Sequence, residues 1–331
     1  MTASKPAFDL IAIGESLRDV FYLINEATVS CSIYKDRCLL CLEYAEKIPV
    51  EQVVKIPAAG NSANAAVGAS RLGYKTALVS WVGNDHAGRH LREALNEEGV
   101  DERFLTIDRV YPTSEATVIV FKGERTLLGY FQPRSYHIPR LPRTRCIYYS
   151  AMGTKHAPCD QMILKELSRL RTFFAFQPGT THIRSGLTAI TPLIARSDLF
   201  ILNKDEAHHL LGDGERTLCN MLESFHHHGA KIVIITDGEK GADAWNGKEH
   251  WHMPIFDGQA VERTGAGDSF AISATIALIN GGSLTSALRW GAANSWSVVR
   301  EIGPQKGLLT KGGLQRTLKR FAHIKPELHK H

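Results

Sequence analysis

Short apolar runs that end at polar or glycine residues alternate with helix-like segments along most of this chain. No other feature constrains the fold as much. The clearest runs are residues 10–13, 76–81, 173–176, 199–202 and 232–236. Brief apolar runs bounded by turn residues read as buried strands, and strands separated by helices need crossover connections, so the pattern predicts a layered α/β domain with a largely parallel sheet. In such sheets the loops at the carboxyl ends of the strands build the ligand site, which directs attention to residues 15–19, 83–85, 203–206 and 237–241. Two regions, 20–55 and 111–137, interrupt the alternation. The second contains apolar runs at 117–121 and 126–131 around a turn at 122–124, as in a β-hairpin. We expect a single domain over 1–331 with a small β appendage inserted at about 17–57 and 111–137. Long insertions in compact α/β enzymes often serve as lids.

Composition narrows the partners. With 44% hydrophobic and 22% charged residues the chain matches ordinary globular domains. Its 39 basic and 34 acidic side chains leave 39 − 34 = +5, a mild excess that suits an anionic ligand but lacks the basic stripe of a nucleic-acid binder. The most apolar stretches, 232–235 and 270–279, fall short of the roughly 18 residues needed to span a bilayer, and the 10–13 run is too short for a secretory segment. No nucleic acid and no membrane partner is expected, and the location expected is cytoplasmic. The six cysteines are then expected to stay reduced. Cys38 and Cys41 form a Cys-x-x-Cys pair beside Cys31 with no second pair to match, and adjacent histidines such as His208 and His209, or those at 226–228, diverge on a helix. A structural metal is not expected.

The sharpest segment is Thr264-Gly265-Ala266-Gly267-Asp268, followed by a helix-like run. Two glycines around an alanine let consecutive N–H groups point at one spot, and the helix N-terminus behind them adds partial positive charge, making an anion hole. Asp268 reads either as a helix cap or as a base that takes the proton from a hydroxyl attacking a γ-phosphate. Neither common nucleotide motif fits. The stretch from Gly241 has five residues before its next glycine and Glu249 where a P-loop needs Ser or Thr, while Phe270 stands at the third glycine of a dinucleotide fingerprint.

With these residues in hand the chain resembles the PfkB family of carbohydrate kinases along nearly its whole length. Gly14, Glu15 and Asp19 resemble the first-strand motif whose aspartate holds sugar hydroxyls. Ala59-Gly60-Asn61-Ser62-Ala63-Asn64 is similar to the Gly-Gly-x-x-x-Asn substrate motif, and Leu72-Gly73 with residues 82–88 completes the N-terminal signature. Asn203 and Glu206 match the Asn-x-x-Glu that arranges magnesium and phosphate; Thr236, Gly238 and Gly241 match the nucleotide loop; residues 264–268 match the signature of anion hole and base. The resemblance implies a ribokinase-like three-layer α/β/α sandwich with a mostly parallel central sheet and a small β lid, using ATP and Mg2+. Three positions depart from the pattern. Ala59 replaces a glycine and would crowd the loop if that position needs positive φ. Glu262-Arg263 replaces the Asp-Thr that helps hold a monovalent cation, so potassium activation is not carried over, and Gly303-Pro304 replaces Gly-Ala.

These positions together predict a kinase transferring the γ-phosphate of ATP to a primary hydroxyl of a small sugar of the ribose or fructose type. Asp268 is the base, Gly265, Ala266 and Gly267 the anion hole, and Asp19, Gly60, Asn61 and Asn64 the acceptor site. Asn203, Thr236, Gly238 and Gly241 flank the nucleotide, and Glu206 serves the metal. Asn203 and Glu206 fit a capping box equally well, and Asn294 reads either as a nucleotide contact or as a buried helix asparagine. The alternatives are a nucleoside kinase, with Phe21, Tyr22, Phe121 and Phe131 available for an aromatic slot, and a non-catalytic binding regulator. The Gly-Lys-Gly loop and the Lys-Pro of phosphosugar kinases are missing. An open-edged lid with an apolar face also predicts a homodimer through the lid.

Overall fold

The computed structural model describes residues 6–32, 38–212 and 217–329. Its strands are β1 Phe8–Ile13, β2 Leu17–Ile24, β3 Thr28–Cys31, β4 Cys38–Cys41, β5 Val50–Ala59, β6 Thr76–Gly83, β7 Val100–Asp108, β8 Glu115–Phe121, β9 Glu124–Tyr130, β10 Thr144–Tyr149, β11 Phe173–Phe176, β12 Leu199–Asn203, β13 Ile232–Thr236, β14 Ala242–Trp245, β15 His250–Met253 and β16 Glu327–His329. Its helices are α1 Asn61–Arg71, α2 His86–Glu97, α3 Ala157–Leu170, α4 Thr180–Ser185, α5 Leu187–Ile194, α6 Lys204–Leu211, α7 Leu218–His227, α8 Ala266–Ile279, α9 Leu284–Val298 and α10 Lys311–Arg320.

One large sheet runs in the order β16-β15-β14-β13-β12-β11-β10-β1-β6-β7, parallel from β13 to β7 and antiparallel at the β14–β16 end. Successive side chains of a strand point to opposite faces. Leu10, Ala12, Cys146 and Tyr148 therefore enter a core with α1, α8 and α9, whereas Ile11, Ile13, Ile147 and Tyr149 enter a second core with α3, α5 and α7. A sheet buried on both faces needs continuously apolar strands, which is why the runs in the sequence do not alternate. The result is the expected three-layer sandwich. Phe200, wholly buried between Phe176 and Phe225, illustrates its dependence on packing: truncation to alanine would cost about 3–5 kcal/mol.

The two interrupting regions meet in a second sheet of order β5-β2-β8-β9. The hairpin between β8 and β9 turns at Lys122 and Gly123, whose φ values of 51° and 79° are those of a type I′ turn. One face of this sheet packs Phe21, Val118 and Val120 against Ile302. The remaining excursion forms the β3–β4 ribbon, where Cys31 and Cys38 are joined in a disulfide. The expectation of reduced thiols fails for this pair, because opposed positions on two paired strands bring the sulfurs together; Cys41, Cys146 and Cys159 are free. No helix among the described residues is long and apolar enough to cross a membrane.

Candidate active site

A cavity of about 1150 Å³ opens at the carboxyl ends of the parallel strands. Glu15 follows β1, Gln177 follows β11, Asn203 ends β12 and Thr236 ends β13, so the crossover topology itself delivers these side chains to one place. The small sheet contributes Leu17, Asp19, Arg125 and Leu127 to the wall facing them, and Phe131 lies just beyond β9.

At the centre lies the first turn of α8. Gly265 caps it with φ 80°, and a Cβ there would stand 2.5 Å from the Pro304 ring, so only glycine lets the turn seat against residues 303–304. The preceding segment is fastened by Glu262, buried to 1% exposure, which accepts hydrogen bonds from the Thr264 N–H (2.7 Å), the Thr264 hydroxyl (2.6 Å) and the Gly303 N–H (3.3 Å). First-turn amides of a helix have no intrahelical carbonyl to bond, and those of Gly267 and Asp268 belong to this class, whereas the Ala266 N–H turns back to the Arg263 carbonyl (3.3 Å). A Cβ on Gly267 would meet only the Gln177 amide at 4.0 Å, so the backbone here faces open cavity.

Asp268 does not cap its own helix. Its Oδ1 accepts from Asn61 Nδ2 (2.9 Å) and Gln177 Nε2 (3.1 Å), and its Oδ2 from Asn64 Nδ2 (2.8 Å). Burial raises its pKa above the usual aspartate value, while the amides of Asn64, Gln177 and Asn61 and the charge of Arg125 act against that rise. Neutral donors orient the carboxylate without supplying the counter-charge that would quench its basicity. Gln177 was not foreseen from the sequence. It accepts in turn from the Tyr148 hydroxyl, and Gln305, likewise unforeseen, donates to Asn64 Oδ1 (2.9 Å), fixing which way that amide points. Only their places after a strand or opposite the substrate motif would have flagged them.

Asp19, on β2, is buried in the same cavity and is pushed up to about 7, first by burial and then by the charge of Asp268, with Arg125 opposing. Glu15 is also raised to about 7 by burial, against a hydrogen bond with Tyr136 and the charge of Arg134. Gly60 brings the two segments together. Its φ is 96°, and a Cβ would lie 2.8 Å from the Glu15 carbonyl.

On the other flank Asn203 Oδ1 accepts from the Glu206 N–H (2.8 Å) and Glu206 Oε2 from the Asn203 N–H (2.9 Å). The capping box is therefore real, and both residues still line the cavity. Glu206 is raised to about 7, chiefly by burial and further by Asp268, although the Asn203 N–H lowers it. Thr236, Gly238 and Gly241 line the same end; Gly241, with φ 91°, would place a Cβ 2.1 Å from the Met253 carbonyl. Asn294 corrects the sequence reading. It is wholly buried away from the cavity, donating to Ser273 Oγ (2.8 Å) and accepting from the Leu309 N–H (2.9 Å), so it ties α8, α9 and the following loop together. The α9 residues that do reach the cavity are Ala292, Ser295 and Trp296, followed by Val299 and Arg300, a helical stripe whose spacing was legible but unexploited.

The family model described as pfkB family carbohydrate kinase matches residues 22–311. The chain belongs to the pfkB family. It is thus a phosphotransferase with an alcohol group as acceptor. Over 312 residues it is 26% identical to an ATP-dependent 6-phosphofructokinase of Thermoanaerobacterium thermosaccharolyticum, covering 89% of each chain. Over 281 residues it is 27% identical to a ribokinase of Haemophilus influenzae, covering 82% of this chain and 90% of that one. The structure of Arabidopsis thaliana ribokinase complexed with ribose and ATP shares the fold, with a TM-score of 0.76 at 19% identity, covering 96% of this chain and 99% of that one. Two departures from the pfkB pattern now have a physical reading. Ala59 causes no crowding, because the positive φ falls on Gly60 and Ala59 ends β5 in extended backbone. Glu262 spends its carboxylate on three hydrogen bonds that fasten the loop before α8.

Proposed function

We propose that this chain is an ATP-dependent kinase that transfers the γ-phosphate to a primary hydroxyl of a small sugar. The observation that carries the reading is Asp268, held by three neutral amides at the first turn of α8, with Asp19 in the same cavity. Asp268 takes the proton of the attacking hydroxyl, and the first-turn amides meet the charge that develops on the transferred group. Asp19 and the Asn61 and Asn64 amides orient acceptor hydroxyls. The site fits a triphosphate, since it offers a glycine cradle open to the cavity and Arg263 and Arg300 at its nucleotide end. Asn203, Thr236, Gly238 and Gly241 bound that end. It also fits Mg2+, because Glu206 is a half-buried carboxylate at the cavity wall whose ionisation lacks a cationic partner. Bound there, the metal would neutralise phosphate charge. The whole chain acts as one domain, with the small sheet as its lid and with β9, exposed along its length, joining a second copy.

Of the four aromatics available for a nucleoside slot, Phe131 alone is a cavity residue; Phe21 is wholly buried in the small sheet's core and Phe121 lies under Lys122. A second reading has a specific basis. Arg125, Lys155 and Arg184 line the cavity and, among the described residues, none of them is in an ion pair. Unpaired cations facing a substrate cavity favour an acceptor that carries a carboxylate or phosphate. A coupled ATP-consumption screen against free sugars, sugar acids, phosphorylated sugars and nucleosides tests both readings. Turnover with free pentoses or hexoses supports the first, preference for anionic sugars the second, and preference for nucleosides overturns both. Sedimentation of the free enzyme tests the dimer.

A further inference from the structure

Outside the cavity lining, the antiparallel end of the large sheet gathers histidines around one buried carboxylate. Asp243 on β14 is 4% exposed and lies opposite His252 on β15, while His250 lies opposite His329 on β16. Positions two apart on a strand share a face, and so do directly opposed positions on neighbouring strands, so one face of three strands carries all four side chains. His250 Nε2 contacts Asp243 Oδ1 at 2.8 Å and His252 Nδ1 contacts Asp243 Oδ2 at 3.0 Å. The His329 ring lies 4.6 Å from that of His250 and 5.9 Å from that of His252. One potential ligand atom from each of Asp243, His252 and His329 falls within 4.8 Å of the others.

We propose that Asp243, His252 and His329 form a binding site for a divalent transition ion of the zinc class. Two imidazoles and a carboxylate are a donor set such ions favour, and bonds of about 2.0–2.1 Å in tetrahedral geometry put ligand atoms about 3.3 Å apart. The 3.0 Å between Asp243 Oδ2 and His252 Nδ1 is already close to that spacing. His250 stays on the other carboxylate oxygen and orients it, the part that outer partners play at metal centres. His329 is exposed, so solvent has access for the ion and for a fourth, water ligand. The other histidine–carboxylate grouping, His156, Asp160 and His182, is a poorer candidate. All three are buried among Tyr149 and Phe176, where the ion would bring in an unbalanced charge.

The site has a structural consequence. Strand β16 is three residues long, exposed throughout and, among the described residues, joined to the sheet through β15 alone. Ligation through His329 would clip this final strand onto the sheet edge. The test uses the full chain, stripped with chelator and titrated with Zn2+ at pH 7.5 against a competing chromophoric chelator, with hydrogen exchange of residues 325–329 read in parallel. We expect one ion per chain and slower exchange on addition of Zn2+, with affinity lowered at least tenfold in His329→Gln and in His252→Gln. His329→Gln alters an exposed side chain and should leave the fold intact, and His323→Gln should bind as the wild type does. Unaltered affinity in His329→Gln, or Zn2+ binding without protection of 325–329, overturns the proposal. ATP turnover is not involved, so this outcome is independent of the kinase reading.

Discussion

Asp268 and Asp160 are both removed from solvent, yet their acidities move in opposite directions. Burial raises both. At Asp268 the opposing groups are mainly neutral amides and the net shift is upward. At Asp160, the hydrogen bond with His156 (2.7 Å), the His182 imidazole 3.4 Å away and the Tyr149 hydroxyl (2.6 Å) more than offset burial and hold the carboxyl down to about 2. Asp243, held by His250 and His252, is lowered in the same way. Like Asp268, the cavity carboxylates are raised, and Glu15, Asp19 and Glu206 reach about 7. Away from the site, the fold satisfies its buried anions; around the cavity it leaves them short of counter-charge. Perturbation of this kind in a cleft marks groups kept for chemistry or ligands.

The largest test of this contrast is Asp268→Asn. It keeps the shape and one accepting oxygen, sets an NH2 against an amide donor on the other side, and removes the base, so kcat should fall by about 10²- to 10⁴-fold while substrate binding persists. Steady-state kinetics with binding calorimetry checks this, and near-normal turnover would remove Asp268 from the role of base. Asp160→Asn should do the reverse. A carboxyl at about 2 against 3.8 in the unfolded chain stabilises the fold by about 2 kcal/mol above pH 4, an advantage lost as pH falls toward 2. The variant should therefore lose about that much stability at pH 7 in denaturant titrations. Its effect on kcat should be far smaller than that of Asp268→Asn.

Asp19 lies between these extremes. Its carboxyl, raised from 3.8 to about 7, binds a proton more tightly in the folded state, so stability falls as pH rises from about 4 through 7 and the full penalty applies above 7. Asp19→Asn should raise the melting temperature of the free enzyme at pH 8 by several degrees, and the gain should shrink at pH 5. The same ionisation predicts that kcat/KM for the acceptor rises as the pH passes through about 7, and that this limb changes in Asp19→Asn. A melting temperature lowered at pH 8 would mean that Asp19 is a structural group of the Asp160 kind.

How far the sequence reveals this division depends on what creates it. The parallel strands were legible because burial on both faces demands unbroken apolar runs, as at Phe173–Phe176 and Ile232–Thr236. Residues 264–268 were legible because glycine and aspartate at a turn before a helix have few other uses. Gln177 and Gln305 were not, because a glutamine's role depends on which way its amide points, and a contact such as Gln305 to Asn64 spans 241 positions. Asn294 misled because a polar residue on an apolar helix looks alike whether it meets a ligand or, as here, Ser273 and the Leu309 N–H. The Cys31–Cys38 disulfide escaped a reading based on compartment because strand pairing decides it.

The smallest expected effect concerns Glu206, where both sides of the comparison meet in one residue. Its carboxylate accepts the Asn203 N–H as a cap should, yet it is raised to about 7 like the other cavity acids. Glu206→Gln keeps a carbonyl oxygen for that N–H, so the capping box survives and stability should change by no more than about 0.5 kcal/mol. The variant does lose the negative charge. If the charge serves Mg2+, the magnesium concentration for half-maximal rate should rise severalfold while KM for the sugar stays level. A rate titrated against Mg2+ at fixed nucleotide separates the two roles. An unshifted magnesium curve with a lowered melting temperature would leave Glu206 as a cap alone and move it to the structural side of the division.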